Sequence, residues 1–191
     1  MKKWILLLLI AAPFFGEAQT GKTTRALFDN KTIGEIRLTL PVAKWSDGLD
    51  SMRLYGMGMM KGTASVDGAK YEGVGVRFRG DKSYVMGLKR NPMSIRLNHS
   101  DPNARHQGYT ALKLSSALRD PSLVREMLFT EIASKYMPMP QMSYTKLYIN
   151  EEYVGIFVNI ENIEEQFLKN NYNSANNTLI KAGVDYPAAS A

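Results

Sequence analysis

The feature that most constrains the fold is the segment 145–163, in which two strand-like stretches are joined by a short polar turn and run directly into a helix-like stretch. Leu147 and Ile149 alternate with polar or aromatic neighbours, as in a strand with one buried face. The next three residues are polar, and residues 153–160 are rich in β-branched and aromatic side chains. We therefore expect a hairpin that leads into a helix over residues 161–172.

The first 18 residues predict a secretory signal peptide. Two lysines precede an apolar run at residues 4–15, and small residues follow at positions 16 and 18. This run of about 12 residues is shorter than the roughly 20 that a membrane-spanning helix needs. The other interpretation, a buried N-terminal helix, would normally show a polar face. We expect an exported protein, secreted, periplasmic or at the cell surface, with no membrane segment once the leader is removed.

The charge balance is mildly basic, and the chain has no cysteine. Lysine and arginine number 24 against 18 acidic residues, a net charge of +6 at pH 7. This balance suits an anionic ligand such as a nucleotide, although an ordinary solvated surface explains it equally well. Without cysteine there are no disulfides, thiol catalysis or thiolate metal sites, so the core alone must stabilise the fold. Basic residues and aromatics would also suit a nucleic acid, but the charge is modest and we expect no such partner.

Alternating stretches predict one α+β domain, an antiparallel β-rich unit braced by one main helix. The expected strands besides the hairpin span residues 33–40, 58–66, 70–79, 93–98 and 111–115. The domain is expected to cover residues 33–183, after a flexible segment at 19–32 and before a tail at 184–191. One more short strand is expected to begin at residue 178.

Local signals refine these elements. Asp67-Gly68 favours a tight hairpin turn between the second and third strands. Gly73 and Gly75, inside the third strand, predict a bulge or the close approach of another backbone. Residues 44–54 are acidic and contain a glycine, and we predict a loop there.

The main helix is predicted to begin at Asp120, whose carboxylate can cap free backbone amides, with Pro121 in the first turn. It is expected to end before Pro138, with Lys135 in the last turn, where the helix dipole favours a cation. Apolar residues recur at helical spacing along one face, namely Leu123, Val124, Met127, Leu128, Ile132 and Tyr136.

The chemistry visible in the residues alone is limited. The chain has no common nucleotide-binding glycine loop, no interpretable Ser-His-Asp set and no His-Glu-x-x-His motif. His99 and His106 lie seven residues apart in a polar stretch. Neither helical nor strand spacing brings them together, so a solvated loop is favoured over a metal site.

Basic residues cluster where the third strand is expected to end. Arg77 and Arg79 alternate on that strand and therefore point to one face. Together with Lys82 and Ser83 in the following turn and a neighbouring basic strand, they form a plausible phosphate site. Solvent-facing arginines are also common on strand pairs, so these residues alone leave both interpretations open.

Five short motifs in a fixed order resemble the CotH family, the spore-coat-type atypical protein kinases. They lie at residues 79–84, 89–97, 112–115, 120–126 and 147–156, and a short matching segment at 159–161 follows the last of them. The resemblance covers residues 71–183 and implies the amino-terminal portion of a divergent protein-kinase-like fold, with the start of a second lobe. It also implies an exported protein that binds ATP with Mg²⁺ and, when complete, phosphorylates serine on secreted or surface proteins.

The resemblance further implies roles for individual residues. Those expected beside the nucleotide are Arg79, Lys82, Ser83, Lys89, Arg90, Arg96, Glu126, Asn159, Ile160 and Glu161. The strand cation that holds the phosphates would be Arg96 or one of Lys89 and Arg90, with Glu126 as its partner. Backbone groups of residues 159–161 would meet the adenine. Motif residues with structural roles would be Gly80, Asp120, Arg125, Asn150 and Gly155.

The motifs stop before the catalytic aspartate and the metal-binding acid that the family carries further along. After residue 183, where the resemblance ends, Asp185 is the only acid, in a tail that resembles an arbitrary end. We therefore expect a fragment or a shortened family member that is inactive alone, and assign no catalytic residue and no metal ligand. The other interpretation is a non-catalytic secreted binding or assembly module whose basic face holds partners or anionic glycans.

Overall fold

Seven strands close into a barrel in the computed structural model, which describes residues 25–175 and 178–180. Within these residues the strands are β1 (Gly34–Thr39), β2 (Met60–Val66), β3 (Ala69–Phe78), β4 (Met93–Arg96), β5 (Ala111–Ser115), β6 (Met142–Ile149) and β7 (Glu152–Ile160). The helices are α1 (Trp45–Leu54), α2 (Arg125–Ala133) and α3 (Glu165–Tyr172), and Leu97–His99 forms a short 3₁₀ turn. The predicted α+β class is confirmed.

The order of strands around the barrel is β1-β2-β3-β4-β5-β7-β6, and β6 pairs with β1 to close it. The β1–β6 pair is parallel and the other pairs are antiparallel. The sheet is therefore antiparallel, as predicted, at every pair except β1–β6. The long connection between β1 and β6 places no hairpin constraint on their relative direction, so a parallel pair is possible there.

The interior of the barrel contains the core, and helix α1 covers one end of it. Side chains at alternate strand positions point inward, and Met93, Ile95 and Leu114 are completely buried. Trp45 on α1 is 2% exposed, and its ring meets the ring of Phe78 edge-on, with the centroids 6.4 Å apart. The end of β3 and the start of α1 are therefore fixed to each other.

Both predicted hairpins are present. The β6–β7 turn has φ values of 50° at Asn150 and 65° at Glu151, and the β2–β3 turn has 47° at Asp67 and 89° at Gly68. Two successive positive φ angles match the right-handed twist of the flanking strands.

The predicted bulge is confirmed at Gly73, where the register between β2 and β3 shifts and φ is +66°. The alternative explanation, close approach of another backbone, does not hold at Gly75, because the neighbour there is a side chain. A Cβ atom at Gly75 would lie 2.7 Å from the imidazole of His99.

The prediction of a loop over residues 44–54 is wrong, because most of that segment is helix α1. Trp45 and Leu49 lie one turn apart and are buried in the core. Burial of this apolar face outweighs the weak helix propensity of Asp47 and Gly48, and so tertiary packing determines the structure here.

The main helix begins later than predicted, at Arg125, and ends earlier, at Ala133, so Lys135 lies beyond its last turn. Leu123 has a φ of +60°, which interrupts any helical path from Asp120. Asp120 nevertheless caps the helix from upstream, because its Oδ2 accepts a hydrogen bond from the Arg125 amide at 2.8 Å. The apolar face of α2 is largely exposed, with Leu128 at 50% and Ile132 at 52%.

Other boundaries shift by a few residues: β4 ends at Arg96 and α3 begins at Glu165. The interpretation of the histidine stretch as solvated is wrong for His106, which is 3% exposed. Its Nδ1 lies 2.8 Å from the Tyr71 hydroxyl. A histidine ring can be buried without a metal when one nitrogen has a neutral partner.

Several predictions fall on residues that the structure does not describe. The signal peptide, the tail at 184–191 and residues 181–183 lie outside the described residues, and residues 178–180 form no strand. Of the segment 19–32, residues 25–32 are described, and Leu27 there is buried in the core. Over the described ranges, no helix is long and apolar enough to cross a membrane.

Candidate functional site

The loop that joins β3 to β4, residues 79–92, is fastened to helix α1. Asp50 on α1 accepts hydrogen bonds from the Tyr84 hydroxyl at 2.6 Å and from the Gly87 amide at 3.0 Å. Burial, followed by the hydrogen bond to Asp50, raises the pKa of Tyr84 to about 12. The phenol therefore stays protonated and donates to Asp50 at neutral pH.

Arg53, one turn further along α1, holds the start of the same loop. Its guanidinium donates to the Gly80 carbonyl at 2.6 Å and lies 4.3 Å from the centroid of the Tyr84 ring. Gly80 has a φ of +86°, a left-handed conformation that favours glycine. At the far end of the loop, the buried Asn91 side chain bonds to the backbone of Val85 and Leu88. The 79–92 loop is therefore a fixed element.

A cleft of about 400 Å³ opens between this loop and the start of α2. It brings together five of the residues singled out by the sequence, Lys82, Ser83, Asp120, Arg125 and Glu126. We call it the first cleft. Its remaining lining comes from the end of β5, at Ser115, and from the β5–α2 connection, at Ala117, Leu118 and Arg119.

Glu126 lies in the first turn of α2 and faces the end of β5. Its Oε1 accepts a hydrogen bond from the Ser115 hydroxyl at 2.9 Å. Its Oε2 is buried and has no hydrogen-bond partner among the described residues. A buried carboxylate oxygen without a donor is costly, so this position calls for a cation or another donor.

Asp120 and Arg125 shape the wall of the first cleft. Asp120 is buried, and its carboxylate accepts hydrogen bonds from the Ser122 hydroxyl and from the Arg125 amide. These bonds lower the pKa of Asp120 below its ordinary value. The Arg125 guanidinium is exposed and lies 3.8 Å from the Asp120 carboxylate, so it is available to an anion that enters the cleft.

Arg79, the first residue of the 79–92 loop, faces a different cleft from Lys82 and Ser83. It borders a second cleft, of about 360 Å³, that is lined by Met52, Arg53, Gly56, Gly58, Arg77, Phe78, Arg79, Gly80 and Asp81. Burial lowers the pKa of Arg79, the Glu126 carboxylate opposes that effect, and the neighbouring Arg77 adds to it. Arg79 thus lines the second cleft, and the Glu126 carboxylate of the first cleft favours its charged form.

Lys89 and Arg90 pack against β7 and do not line the first cleft. Lys89 pairs with Glu152 at 2.5 Å, and the Arg90 guanidinium donates to the Ile156 carbonyl at 2.8 Å. A Cβ atom at Gly155 would lie 3.1 Å from the Arg90 Nε, so Gly155 makes room for that side chain. Both cations serve to attach the loop to the barrel wall.

Arg96 and residues 159–161 also lie away from the first cleft. Arg96 is exposed at the end of β4 furthest from the 79–92 loop. Asn159 is buried, and its Oδ1 has no hydrogen-bond partner in the described part of the chain. The Glu161 carboxylate accepts hydrogen bonds from the Tyr109 hydroxyl at 2.9 Å and from the Gln141 amide at 2.8 Å.

Ile160, at the end of β7, pairs with Lys113 on one side and Met142 on the other. Asn150 connects the β6–β7 turn to the chain that leaves β1. Its Oδ1 accepts from the Leu40 amide at 2.8 Å, and its Nδ2 donates to the Val42 carbonyl at 3.1 Å. The role of Asn150 in the structure is thus to anchor the turn.

Sequence reasoning missed Lys113, in the middle of β5. Leu112 and Leu114 are completely buried, so Lys113 points away from the core, on the same face as Ser115. It lies beside Ser94 on β4 and Ile160 on β7. The sequence does contain a signal for Lys113. It lies between two leucines on a predicted strand, so it must face outward, and the helix that follows has a glutamate in its first turn.

Comparison with known proteins agrees with this arrangement. The family model described as CotH kinase protein matches residues 76–190, more than half of the 191 residues. The match begins in β3 and includes the 79–92 loop, β5 and α2. No curated protein matches the chain. On the strength of the family match, the chain belongs to the CotH kinase protein family.

Proposed function

We propose that this chain binds ATP together with Mg²⁺ at the first cleft, and that the protein transfers a phosphoryl group to serine on secreted or surface proteins. Membership of a kinase family supports the coarse function. The leader-like sequence at residues 1–18 supports export. The finer assignment depends on how β5, α2 and the 79–92 loop are arranged.

The main support for the proposal is that β5, the strand that carries Lys113, is followed by α2, the helix that carries Glu126. In protein kinases a strand lysine holds the nucleotide phosphates and is braced by a glutamate on the helix that follows. Here Lys113 points outward from β5, and the next helix presents Glu126 with one buried oxygen that lacks a donor. Ser115, two residues after Lys113, holds the other oxygen of Glu126. Lys113 is not among the residues that line the first cleft, but it lies two residues before the cleft-lining Ser115 on the same face of β5. We therefore assign Lys113, and not Arg96, as the phosphate-holding cation.

The 79–92 loop supplies the second element of the proposed site. Protein kinases cover the phosphates with a loop between two antiparallel strands that precede the lysine strand. The loop between β3 and β4 occupies that place in the order of elements, and Lys82 and Ser83 from it line the first cleft. Its attachment to α1 makes it a preorganised cover, which is the property that phosphoryl transfer requires.

The described residues fit the nucleotide better than they fit a metal alone. Lys82, Arg125, Ser83 and Ser115 offer cations and hydroxyl groups around one cleft, a donor set that suits phosphate. In the described ranges, no group of three or more histidine or acidic side chains could hold a metal ion. Mg²⁺ in kinases is bound by the nucleotide phosphates, water and one or two acidic side chains, so it would arrive with the nucleotide.

The residues of this chain would bind and orient the nucleotide, which itself supplies the phosphoryl group. Lys113 and Lys82 would neutralise phosphate oxygens, and Glu126 would fix the direction of the Lys113 ammonium. Asp120 would keep the start of α2, and hence Glu126, in place through the Arg125 amide. Positioning and charge neutralisation are the main protein contributions to this chemistry.

The test measures nucleotide binding by the 191-residue chain. ATP with Mg²⁺ should raise the midpoint of thermal unfolding, and Lys113→Met should weaken the affinity at least about tenfold, because a charge-assisted contact to phosphate is lost. Glu126→Gln should weaken it in the same direction. Lys146→Met removes an exposed lysine from β6 and should bind ATP as the unmodified chain does.

Two results would count against the proposal. An intact fold with no response to millimolar ATP would remove the nucleotide assignment and favour the binding or assembly module. Equal affinity for ATP in Lys113→Met and in the unmodified chain would show that another cation contacts the phosphates.

A further inference from the structure

The second cleft, between the α1–β2 connection and the end of β3, is not used by the proposed nucleotide site. We propose that it binds carboxylate or phosphate groups carried on an extended polypeptide, which makes acidic or phosphorylated segments the acceptor class. This inference rests on the proposed function, since it names the protein substrate of the same kinase.

The charge of the second cleft is strongly unbalanced. Three guanidiniums line it, from Arg53, Arg77 and Arg79, against the single carboxylate of Asp81. The Asp81 side chain is fully exposed and lies 3.7 Å from Arg53, so it offsets that residue in part. Arg77 is exposed and, among the described residues, has no hydrogen-bond or ion-pair partner. A planar guanidinium in this state is suited to bidentate binding of carboxylate or phosphate.

The arginines are also close enough to affect one another. The charge of Arg77 disfavours the charged form of Arg79. An anion placed between them would relieve this like-charge repulsion. Arg53 lies in the last turn of α1, where its charge offsets the negative end of the helix dipole and keeps the cleft favourable for an anion.

The shape of the cleft favours a chain over a free ion. Its volume of about 360 Å³ is similar to that of the first cleft, and far exceeds the roughly 30 Å³ that one water occupies in the liquid. One wall is the glycine-containing turn after α1, where Gly56 and Gly58 leave open space beside the backbone. Met52 and Phe78 supply an apolar floor. An exposed backbone wall with an apolar floor suits an extended peptide.

Position separates this cleft from the nucleotide. Arg77 lies opposite Ser94, and Ser94 lies opposite Lys113, so two strand spacings divide Arg77 from the proposed phosphate lysine. That is roughly 10 Å across the sheet. The two clefts flank residues 80–83 of the loop, which places a bound peptide beside the phosphates without overlap.

The test titrates the 191-residue chain with fluorescent serine-containing peptides and follows anisotropy. One peptide carries glutamates around the serine, a second carries phosphoserine in their place, and a third carries glutamine. The two charged peptides should bind and the glutamine peptide should not. Arg77→Gln should weaken binding roughly tenfold, the effect of losing one charge-assisted contact. Lys70→Gln, the same loss of charge at an exposed site on the same strand, should leave it unchanged.

Separate titrations with ATP and with inorganic phosphate keep the outcomes distinct. Arg77→Gln should bind ATP as tightly as the unmodified chain does. If ATP competes with the peptide, the second cleft binds the nucleotide, and the inference is overturned. Inorganic phosphate that binds as tightly as the peptides would reduce the cleft to a free-anion site. Equal peptide binding in Arg77→Gln and Lys70→Gln would also overturn it. If the unmodified chain binds the charged peptides but does not bind ATP, the proposed function fails and the peptide site remains.

Discussion

His106 is the clearest residue-scale case of a polar group whose environment sets its properties. Its ring is 3% exposed, its Nδ1 lies 2.8 Å from the Tyr71 hydroxyl, and its Nε2 has no hydrogen-bond partner in the described part of the chain. Burial lowers the pKa of His106; the nearby Asp67 carboxylate opposes this effect and Arg25 adds to it. The folded protein therefore favours the neutral imidazole.

This environment predicts a pH-dependent stability. The pKa of His106 in the unfolded chain is about 6.5 and the folded value is lower, so the stabilisation is complete above pH 6.5 and is lost as the pH falls toward the folded pKa. Between the two pKa values each pH unit removes up to about 1.4 kcal/mol. His106→Asn should lose this slope in urea unfolding between pH 7.5 and 5. A variant that keeps the full slope would assign the titration to another group, and His99→Asn, at an exposed histidine, is the matched control.

These residues show what the sequence can and cannot supply. Strand alternation is enough to find Lys113 on the outer face of β5, because burial of its leucine neighbours dictates its direction. Strand alternation does not predict the burial of His106, which contacts Tyr71 on β3, a residue 35 positions away. Contacts between distant segments leave no local pattern.

At the scale of elements, helix α1 is the support of the 79–92 loop. Asp50 and Arg53 make five contacts to that loop, through Tyr84, Gly87, Gly80 and Asp81. The sequence did not predict this helix, because its propensity is weak and its apolar residues are few. What it predicted correctly, the hairpins and the α2 segment, has strong local signals of turn residues or helical spacing.

The support by α1 can be tested with two aspartates on the same helix. Asp50→Ala leaves the Tyr84 hydroxyl and the Gly87 amide without their acceptor, and should lower the free energy of unfolding by about 1–3 kcal/mol. It should also weaken ATP binding, because the loop loses its fixed position. Asp47→Ala removes an exposed aspartate from the same helix and should change stability by less than about 0.5 kcal/mol. Equal stability of the two variants in urea would show that α1 does not hold the loop.

Helix α2 illustrates the limit of a periodic pattern. The spacing of apolar residues predicts the helix but does not predict whether its apolar face is buried. In the structure Leu128, Phe129 and Ile132 are all at least half exposed. The buried contacts of α2 are instead made by Thr130 and Glu126. Its position is thus set by the contacts of Glu126 to β5 and of Thr130 to β6, and by the Asp120 cap.

At the scale of the molecule, closure of the barrel joins segments that the family match does not cover. The match begins at residue 76, near the end of β3, so β1, β2 and most of β3 precede it. These strands supply Ile36, Leu38, Val66 and Val74 to the core, each at most 1% exposed. The parallel pairing of β1 with β6 then removes the open edges that a partial sheet would expose.

The barrel therefore predicts that the family-matched segment does not fold by itself. A chain of residues 76–191 lacks two whole strands and most of a third, so it leaves the remnant of β3 and the edge of β6 unpaired and exposes apolar interior side chains. It should show no cooperative unfolding transition and should aggregate at micromolar concentration. A chain of residues 25–191 retains all seven described strands and should unfold cooperatively in urea. Near-ultraviolet circular dichroism and size-exclusion chromatography of both chains decide the matter, and a monomeric, cooperatively folded 76–191 chain would show that the first three strands are dispensable.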